Sequence, residues 1–574
     1  MEYSSQPVFP AHGQVSRQTE ASSAGAFRPY RYRAILAAVI GGVVLILFPA
    51  IADISNFHGD ERFYTDAALQ MLHTGEGWTP VYPDGQLRLN KPILTYWAAA
   101  GSMRLLGRTP WAARLLFLLA GALIIGLTFH LARVVGQDPR TAFLAALIMV
   151  SNVEWLTLAI RATPDILLCL FAQVSFIGFA RLWFQADSTW LGPVLAYGGM
   201  GLAVQTKGLL GLCPLAAMAL CGIWRRPASP RLKSFLNWPA IGLGLGLGLF
   251  WYAVMLHQHG RVALQDIYAD QIGAKVTRDL GFVLGNAAAY LFAGFRHFLP
   301  WTLLLLAGAI GFRRELASGW KAHRSDGVFL LSLFVVLAVC FSFGNMRRPR
   351  YLAASYPAIA IWLAGTISPV LAHPGVRRWL ARAILILSAL TGLAGIGFLI
   401  AGLGGEGRLL AGGGLLIFCG GAGWISSRAS SEMVRWTWVA GVCVAAFALV
   451  TTCLHPVLFP SPSCGTAVLL RRMSPPPVRI HTWFIRESSA SQLRLLGGGA
   501  WDIQPLAEDV ESPAFDGAEI VLTTEPHHLD LGHAGYDLLP IADRSPAIPA
   551  TWRRLVARLF AHPQPPYWLA VKAP

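Results

Sequence analysis

Charge is scarce in this sequence. Asp, Glu, Lys and Arg make up 13 % of 574 residues, where a soluble chain carries about 25 %. Hydrophobic residues make up 55 %, with 20 Trp and 30 Phe, a surplus that soluble cores cannot hide. The same figures exclude disordered, collagen-like and disulfide-framed chains and leave a polytopic membrane protein. Acids are the scarcer sign, 30 against 46 basic residues, for a net charge of +16. No basic stripe interleaved with aromatics appears, so no nucleic-acid partner is expected. The excess reads instead as Lys and Arg holding loops on one side of a membrane.

Several chemical signatures are missing too. Of the eight Cys none forms a CxxC and only Cys464 sits in polar sequence, which argues against a disulfide framework or thiolate metal site. His257 and His259 lack the spacing of a zinc helix. There is no Gly-x-Ser-x-Gly and no Walker lysine loop, which disfavours ATP as the energy source and favours a membrane-borne activated donor. Gly242, Gly244, Gly246 and Gly248 alternate with Leu and read as close helix packing.

What is present is a series of long apolar runs. A bilayer core about 30 Å thick needs roughly 17–25 apolar residues per helix. Such runs fall at 34–52, 111–131, 140–159, 163–184, 190–206, 208–224 and 236–257. They continue at 298–313, 327–344, 350–370, 378–402, 408–427 and 433–456. The expectation is an all-α polytopic membrane protein of about thirteen transmembrane helices. Residues 1–33 form a cytoplasmic N-terminus, disordered over its Ser-, Ala-, Gln- and Gly-rich first part. Residues 34–456 form the membrane domain, and 457–574 a small soluble domain, α/β or mostly β.

By alternation Arg28, Arg31, Arg33, Arg133, Arg140, Arg225, Arg226, Arg231, Lys233, Arg313, Arg314, Arg377, Arg378 and Arg428 share one side. The positive-inside rule makes that side the cytoplasm, with the C-terminal domain outside. Loops 53–110 and 258–297 lie outside, and so do Arg161, Lys207 and the run Arg347-Arg348-Pro349-Arg350. Cations breaking the rule suit an anionic substrate at the outer surface; interfacial arginines snorkelling to headgroups also account for them.

The outer loops hold the candidate chemistry. Two short interfacial helices are expected near 60–73 and 92–106. Asp60 and Tyr64 share a face of the first, with Glu61 turned about 100° away, so the two acids do different jobs. They suit a general base and an orienting group, and they equally suit a helix N-terminus. Asn90-Lys91-Pro92 reads as an N-cap with Pro in the first turn, its Lys beside free N–H groups that suit a phosphate. Thr163-Pro164-Asp165 opens a span with Arg161 as the expected partner of Asp165, and Lys207 interrupts an apolar run at Thr206-Lys207-Gly208.

Together these motifs resemble the polyprenyl-phosphate-sugar-dependent membrane glycosyltransferases of the GT-C superfold, above all the bacterial aminoarabinose (lipid A) transferases and protein O-mannosyltransferases. The resemblance covers about residues 34–370. It rests on Asp60-Glu61-x-x-Tyr64, Lys91-Pro92 with Tyr96-Trp97, Thr163-Pro164-Asp165, Lys207-Gly208 and Arg347-Arg348-Pro349-Arg350-Tyr351 followed by Tyr356-Pro357. It implies an enzyme of the bacterial inner membrane that moves a sugar from a polyprenyl-phosphate donor to a lipid A-like or other glycan or protein acceptor on the periplasmic face. Asp60, Glu61 and Asp165 become catalytic candidates. Arg62, Tyr64, Lys91, Tyr96, Arg161, Lys207, Arg347, Arg350 and Tyr351 become substrate-binding candidates, with the donor phosphate among Lys91, Lys207, Arg347 and Arg350. Two departures stand out. Asn90 occupies the place of a Glu found in relatives with a metal, which leaves the metal site unknown and no cofactor assigned. The Arg of the first motif falls at 62, one place early, with Phe63 in its stead. The reading of a different class is a flippase for lipid-linked substrates. Its expected repeats and polar residues on both faces are not apparent.

Overall fold

Prolines and capping side chains set where the helices of this chain begin. The computed structural model describes residues 29–185, 189–224, 235–271, 279–345, 347–403, 407–458, 461–473, 478–505, 520–524, 536–541 and 567–572. Most of the expected N-terminal tail and Arg225, Arg226, Arg231 and Lys233 lie outside them. The first helices are α1 (Pro29–Ala52), α2 (Arg62–Thr74), α3 (Leu94–Leu106) and α4 (Pro110–Val134). They are followed by α5 (Pro139–Val150), α6 (Val153–Ala159), α7 (Pro164–Phe184), α8 (Leu191–Lys207) and α9 (Cys213–Trp224). Thr109 accepts from the Ala112 N–H ahead of Pro110, and Asp138 from Arg140 and Thr141 ahead of Pro139. Such caps satisfy donors that a helix start leaves open. Gly75, at φ 77°, closes α2.

Among the described residues, nine helices are long and apolar enough to cross a membrane, or up to twelve if each sharply bent pair is one span. The count expected from the apolar runs was higher because it divided the chain at Lys207. Leu191–Ile223 counts as one stretch of 33 residues, although Gly208, at φ 67°, ends α8 there. The run 140–159 is broken by 66° between α5 and α6, where Asn152 caps the new helix through the Trp155 N–H at 2.9 Å. The stretch expected as the outer loop 258–297 holds helices Arg261–Gln271 and Leu280–Arg296. The second meets Trp301–Gly311 at 95°.

Small residues bring the central helices together. A Cβ on Gly178 would lie 2.1 Å from the Ala196 nitrogen, and one on Gly199 2.6 Å from that of Ser175, so α7 and α8 touch backbone to backbone. Gly201 and Gly244 do the same between α8 and Trp238–His259. Of the alternating glycines, Gly244 and Gly248 face α8, while Gly242 and Gly246 have nothing within 4 Å. Without a hydrophobic drive between helices in lipid, such close approach is what packs them.

The tail forms a mixed five-stranded sheet of order β2-β1-β3-β5-β4. Its strands are β1 (Val478–Trp483), β2 (Trp501–Pro505), β3 (Ile520–Thr524), β4 (Tyr536–Pro540) and β5 (Tyr567–Lys572). β1 pairs in parallel with β2 and β3, and β5 runs antiparallel to β3 and β4. Helix Glu487–Leu496 connects β1 to β2, the crossover that parallel strands require. The tail is therefore α/β. That helix also docks on α2, where Arg494 and Ser491 donate to Asp66 at 2.9 and 2.6 Å.

Candidate functional site

α1 ends, and α4 and α7 begin, at the same end of the bundle, and the turn before α2 is held among them. Glu61 anchors that turn. Its carboxylate is fully buried against the equally buried Arg114, which donates to it at 2.7 and 3.2 Å. The backbone N–H groups of His58 and Ala162 donate to it at 2.8 and 3.0 Å. Arg114 also donates to the carbonyls of Ile51 and Asp53. One acid thus ties α1, α2, α4 and the start of α7 together, with every oxygen satisfied inside.

Asp60, one residue earlier, points the other way. It accepts from Arg350 and, at 3.3 Å, from Arg348, and its side chain keeps 31 % exposure. Burial alone would raise its pKa, but the hydrogen bond and charge of Arg350, with His58 and Arg348, outweigh this and hold it below the usual carboxylate value. Burial and the charge of Arg161 lower the pKa of neighbouring His58. The two acids thus face apart, Asp60 toward Arg348 and Arg350 and Glu61 into the enclosed contact with Arg114, which takes Glu61 out of reach of a substrate.

A second ion pair sits alongside. Asp165, at the start of α7 behind Pro164, accepts from Lys207 at the end of α8, and both are nearly buried. Arg161, the expected partner of Asp165, does not take that place. It lies instead in the field of Glu61 and Glu154, with burial lowering its pKa. The reason is geometric: α7 and α8 approach so closely that Lys207 reaches Asp165 across the gap. The Lys207 ammonium also lies 4.4 Å from the Tyr351 ring centre.

The basic run at 347–350 splits. Arg348 and Arg350 face Asp60, whereas Arg347 donates to Asn286 at 3.0 Å and lies over Phe282. Arg347 is thereby removed from the phosphate cluster expected of it. Pro92 also departs from its expected place, because α3 starts at Leu94 and the chain bends at Asn90 and Lys91 before it. Lys91 Nζ lies 3.4 Å from the Asn90 carbonyl. Tyr64 and Tyr96 are both buried with ring centres 5.3 Å apart, so they wall the site from α2 and α3. Arg62 stacks on Phe63 at 4.5 Å.

Sequence reasoning missed four residues here. Arg88 lies 4.5 Å over Phe63 and donates to the Tyr82 hydroxyl at 2.6 Å. Arg114 looked like an ordinary residue of a span. His297 hydrogen-bonds Tyr356 at 2.5 Å and lies 3.7 Å from Glu154. A polar residue within an apolar run, as Arg114 is, was the available signal. Glu154 carried the same mark.

The family profile for dolichyl-phosphate-mannose-protein mannosyltransferase matches residues 90–254. Over nearly its whole length the chain superposes on ArnT of Cupriavidus metallidurans bound to undecaprenyl phosphate, with TM-score 0.67 and 17 % identity, covering 94 % of this chain and 99 % of that one. The fold is that of ArnT. The GT-C resemblance drawn from the motifs therefore holds. Among relatives by sequence, an undecaprenyl phosphate-α-4-amino-4-deoxy-L-arabinose arabinosyl transferase of Pseudomonas fluorescens is 28 % identical over 351 residues, 59 % of this chain and 60 % of that protein. An uncharacterized protein of Aquifex aeolicus is 27 % identical over 310 residues, 53 % and 58 % of the two chains. The match thus spans less than two thirds of these relatives' lengths.

Within the GT-C fold, the residues suited to holding a divalent ion can be judged by their present partners. Asp60 and Asp165 are each matched to cations, Glu61 is enclosed, and Asn90 offers no carboxylate. Among the described residues no group of three or more His, Cys, Asp or Glu is arranged to hold a metal.

Proposed function

We propose that this chain is an inner-membrane glycosyltransferase that moves a sugar from a polyprenyl-phosphate donor to an acceptor at the periplasmic face. The observation that carries this is Asp60 poised between Arg348 and Arg350 at the end of a fold shared with ArnT. Both guanidiniums can exchange a carboxylate for a phosphate, whose geometry they match. An arriving donor phosphate takes Arg350 and Arg348, with Lys207 and Lys91 completing the charge, and releases Asp60. As the bond between the anomeric carbon and the phosphate oxygen breaks, the electron pair leaves with the polyprenyl phosphate. The cations stabilise the charge that grows there, the largest contribution such a site can make. The acceptor oxygen forms the new bond. If it is a hydroxyl, its proton goes to Asp60. If it is already a phosphate, as on lipid A, no base is needed and Asp60 steadies the anomeric positive charge.

The lipid A-like acceptor, the periplasmic side and the layout 1–33, 34–456 and 457–574 belong to the same reading. Docking of Glu487–Leu496 on α2 supports placing the tail on the side of the site. The pairing of Asp165 with Lys207 and the enclosure of Glu61 by Arg114 support a reaction without a divalent metal. Radiolabelled polyprenyl-phosphate sugars, offered with lipid or peptide acceptors, test all of this. Transfer to lipid that Asp60→Asn and Lys91→Ala both abolish, and that chelator leaves intact, is expected. Transfer to peptide would move the assignment to a protein O-mannosyltransferase-like activity. Donor binding without turnover on any acceptor, with Asp60→Asn behaving as wild type, would refute the transferase and favour a flippase.

A further inference from the structure

A cavity of different character opens at the far end of the bundle. Ala52 ends α1 beside the candidate site, whereas α4 and α7 start there. Counting along these helices at 1.5 Å per residue puts Arg181, Arg33 and Arg133 about 26–35 Å from that end. That is close to the hydrocarbon thickness of about 30 Å. These three arginines and His130 converge on one cavity of about 510 Å³ between α1, α4 and α7.

The remaining wall is apolar, with Leu36, Ile40 and Phe129 leading from the basic rim along the helices. Arg33 and Arg133 are exposed and Arg181 is half-buried at the mouth of a recess whose other lining runs apolar along the helices, and Arg133 is fixed by donating to the Gln137 carbonyl. A ligand that fits both halves carries a phosphate on an apolar chain. We propose that the cavity binds the phosphate headgroup of an anionic membrane phospholipid, with an acyl chain along Leu36, Ile40 and Phe129. Guanidinium forks match phosphate oxygens in pairs. Basic pockets between transmembrane helices suit such headgroups. This site is separate from the donor site, so its failure would leave the transferase reading untouched.

The full-length protein, delipidated in mild detergent, is titrated with phosphatidylglycerol or phosphatidylcholine of the same chains and followed by native mass spectrometry. Wild type is expected to prefer phosphatidylglycerol. Arg33→Gln combined with Arg181→Gln should lose that preference, each cation counting for about fivefold. Gly126→Leu fills the cavity and keeps every charge, since a Cβ there meets only Ile40 Cδ1 at 3.6 Å. It should lose the preference as well, and it carries the test if the double variant misfolds. Arg428→Gln removes a cation at the same end but outside the cavity, where Arg428 stacks on Trp424 at 3.7 Å, and should bind as wild type does. Equal binding of the two lipids to wild type, or an equal loss in Arg428→Gln, would overturn the proposal. So would displacement of phosphatidylglycerol by an equal concentration of inorganic phosphate, which would mark a free-anion site.

Discussion

Neighbouring acids in one turn should respond to substitution in opposite ways. In Glu61→Gln one carboxylate oxygen becomes an amide NH2. The four donors now satisfied by Glu61, two from Arg114 and the N–H groups of His58 and Ala162, then face one acceptor oxygen. The Arg114 guanidinium stays fully buried with its counter-charge gone. Removing one partner of a buried pair costs about 3–5 kcal/mol, a large part of the stability of a typical domain. Asp60→Asn removes a partly exposed carboxylate from two guanidiniums that water can reach, and should cost about 1 kcal/mol or less. Thermal unfolding in detergent by tryptophan fluorescence, beside sugar transfer at a temperature where both variants stay folded, separates the two effects. Glu61→Gln is expected to melt far below wild type and Asp60→Asn to melt with it but fail in transfer. A Glu61→Gln protein as stable as wild type would refute the claim that this acid holds the turn.

Lys207→Met leaves Asp165 buried without its partner and should destabilise the protein by about 3–5 kcal/mol. Adding Asp165→Asn should restore part of that loss, and chemical denaturation of the single and double variants measures it. Because Asp60 has a depressed pKa, its carboxylate persists down to and below the usual carboxylate range. Activity should therefore be lost only as pH falls through that region, and Arg350→Gln should move the loss upward. A wild-type acid limb of kcat/KM above about pH 5 would contradict this. Burial raises the pKa of Asp66 from 3.8 to about 6, despite Arg494 and Ser491. The folded protein then holds a proton that the unfolded chain releases, so this contribution to stability is full below 3.8 and lost as pH rises through 6. Two pH units correspond to at most about 3 kcal/mol. Melting of Asp66→Asn between pH 4 and 7 should lack that slope.

Local rules carried much of this architecture into the sequence. The interfacial helices expected near 60–73 and 92–106 are present as α2 and α3, each starting two residues later than expected. The start of α7 was legible from Thr163-Pro164. The opposite directions of Asp60 and Glu61 were expected from helical geometry, but both residues lie in the turn before α2, which starts only at Arg62. Partners were harder to read. Asp165 has Arg161 nearby in sequence and takes Lys207 because glycines let α7 and α8 close up, a fact of packing. Arg347 and Arg350 look equivalent in the chain, but Asn286 captures one of them from a helix that hydropathy had assigned to a loop. The bends at 152 and 297–300 escaped notice because an apolar run records length and not direction.

The contact between Asp66 and Arg494 joins residues 428 apart in the chain. A ribosome releasing the polypeptide from its N-terminus delivers α2 and its buried carboxyl long before the matching arginine. Until the last fifth of the chain emerges, the helix that follows Asp60 has nothing to close its outer flank. A message truncated after the membrane spans would yield a protein with every candidate catalytic side chain and an unfinished wall beside them.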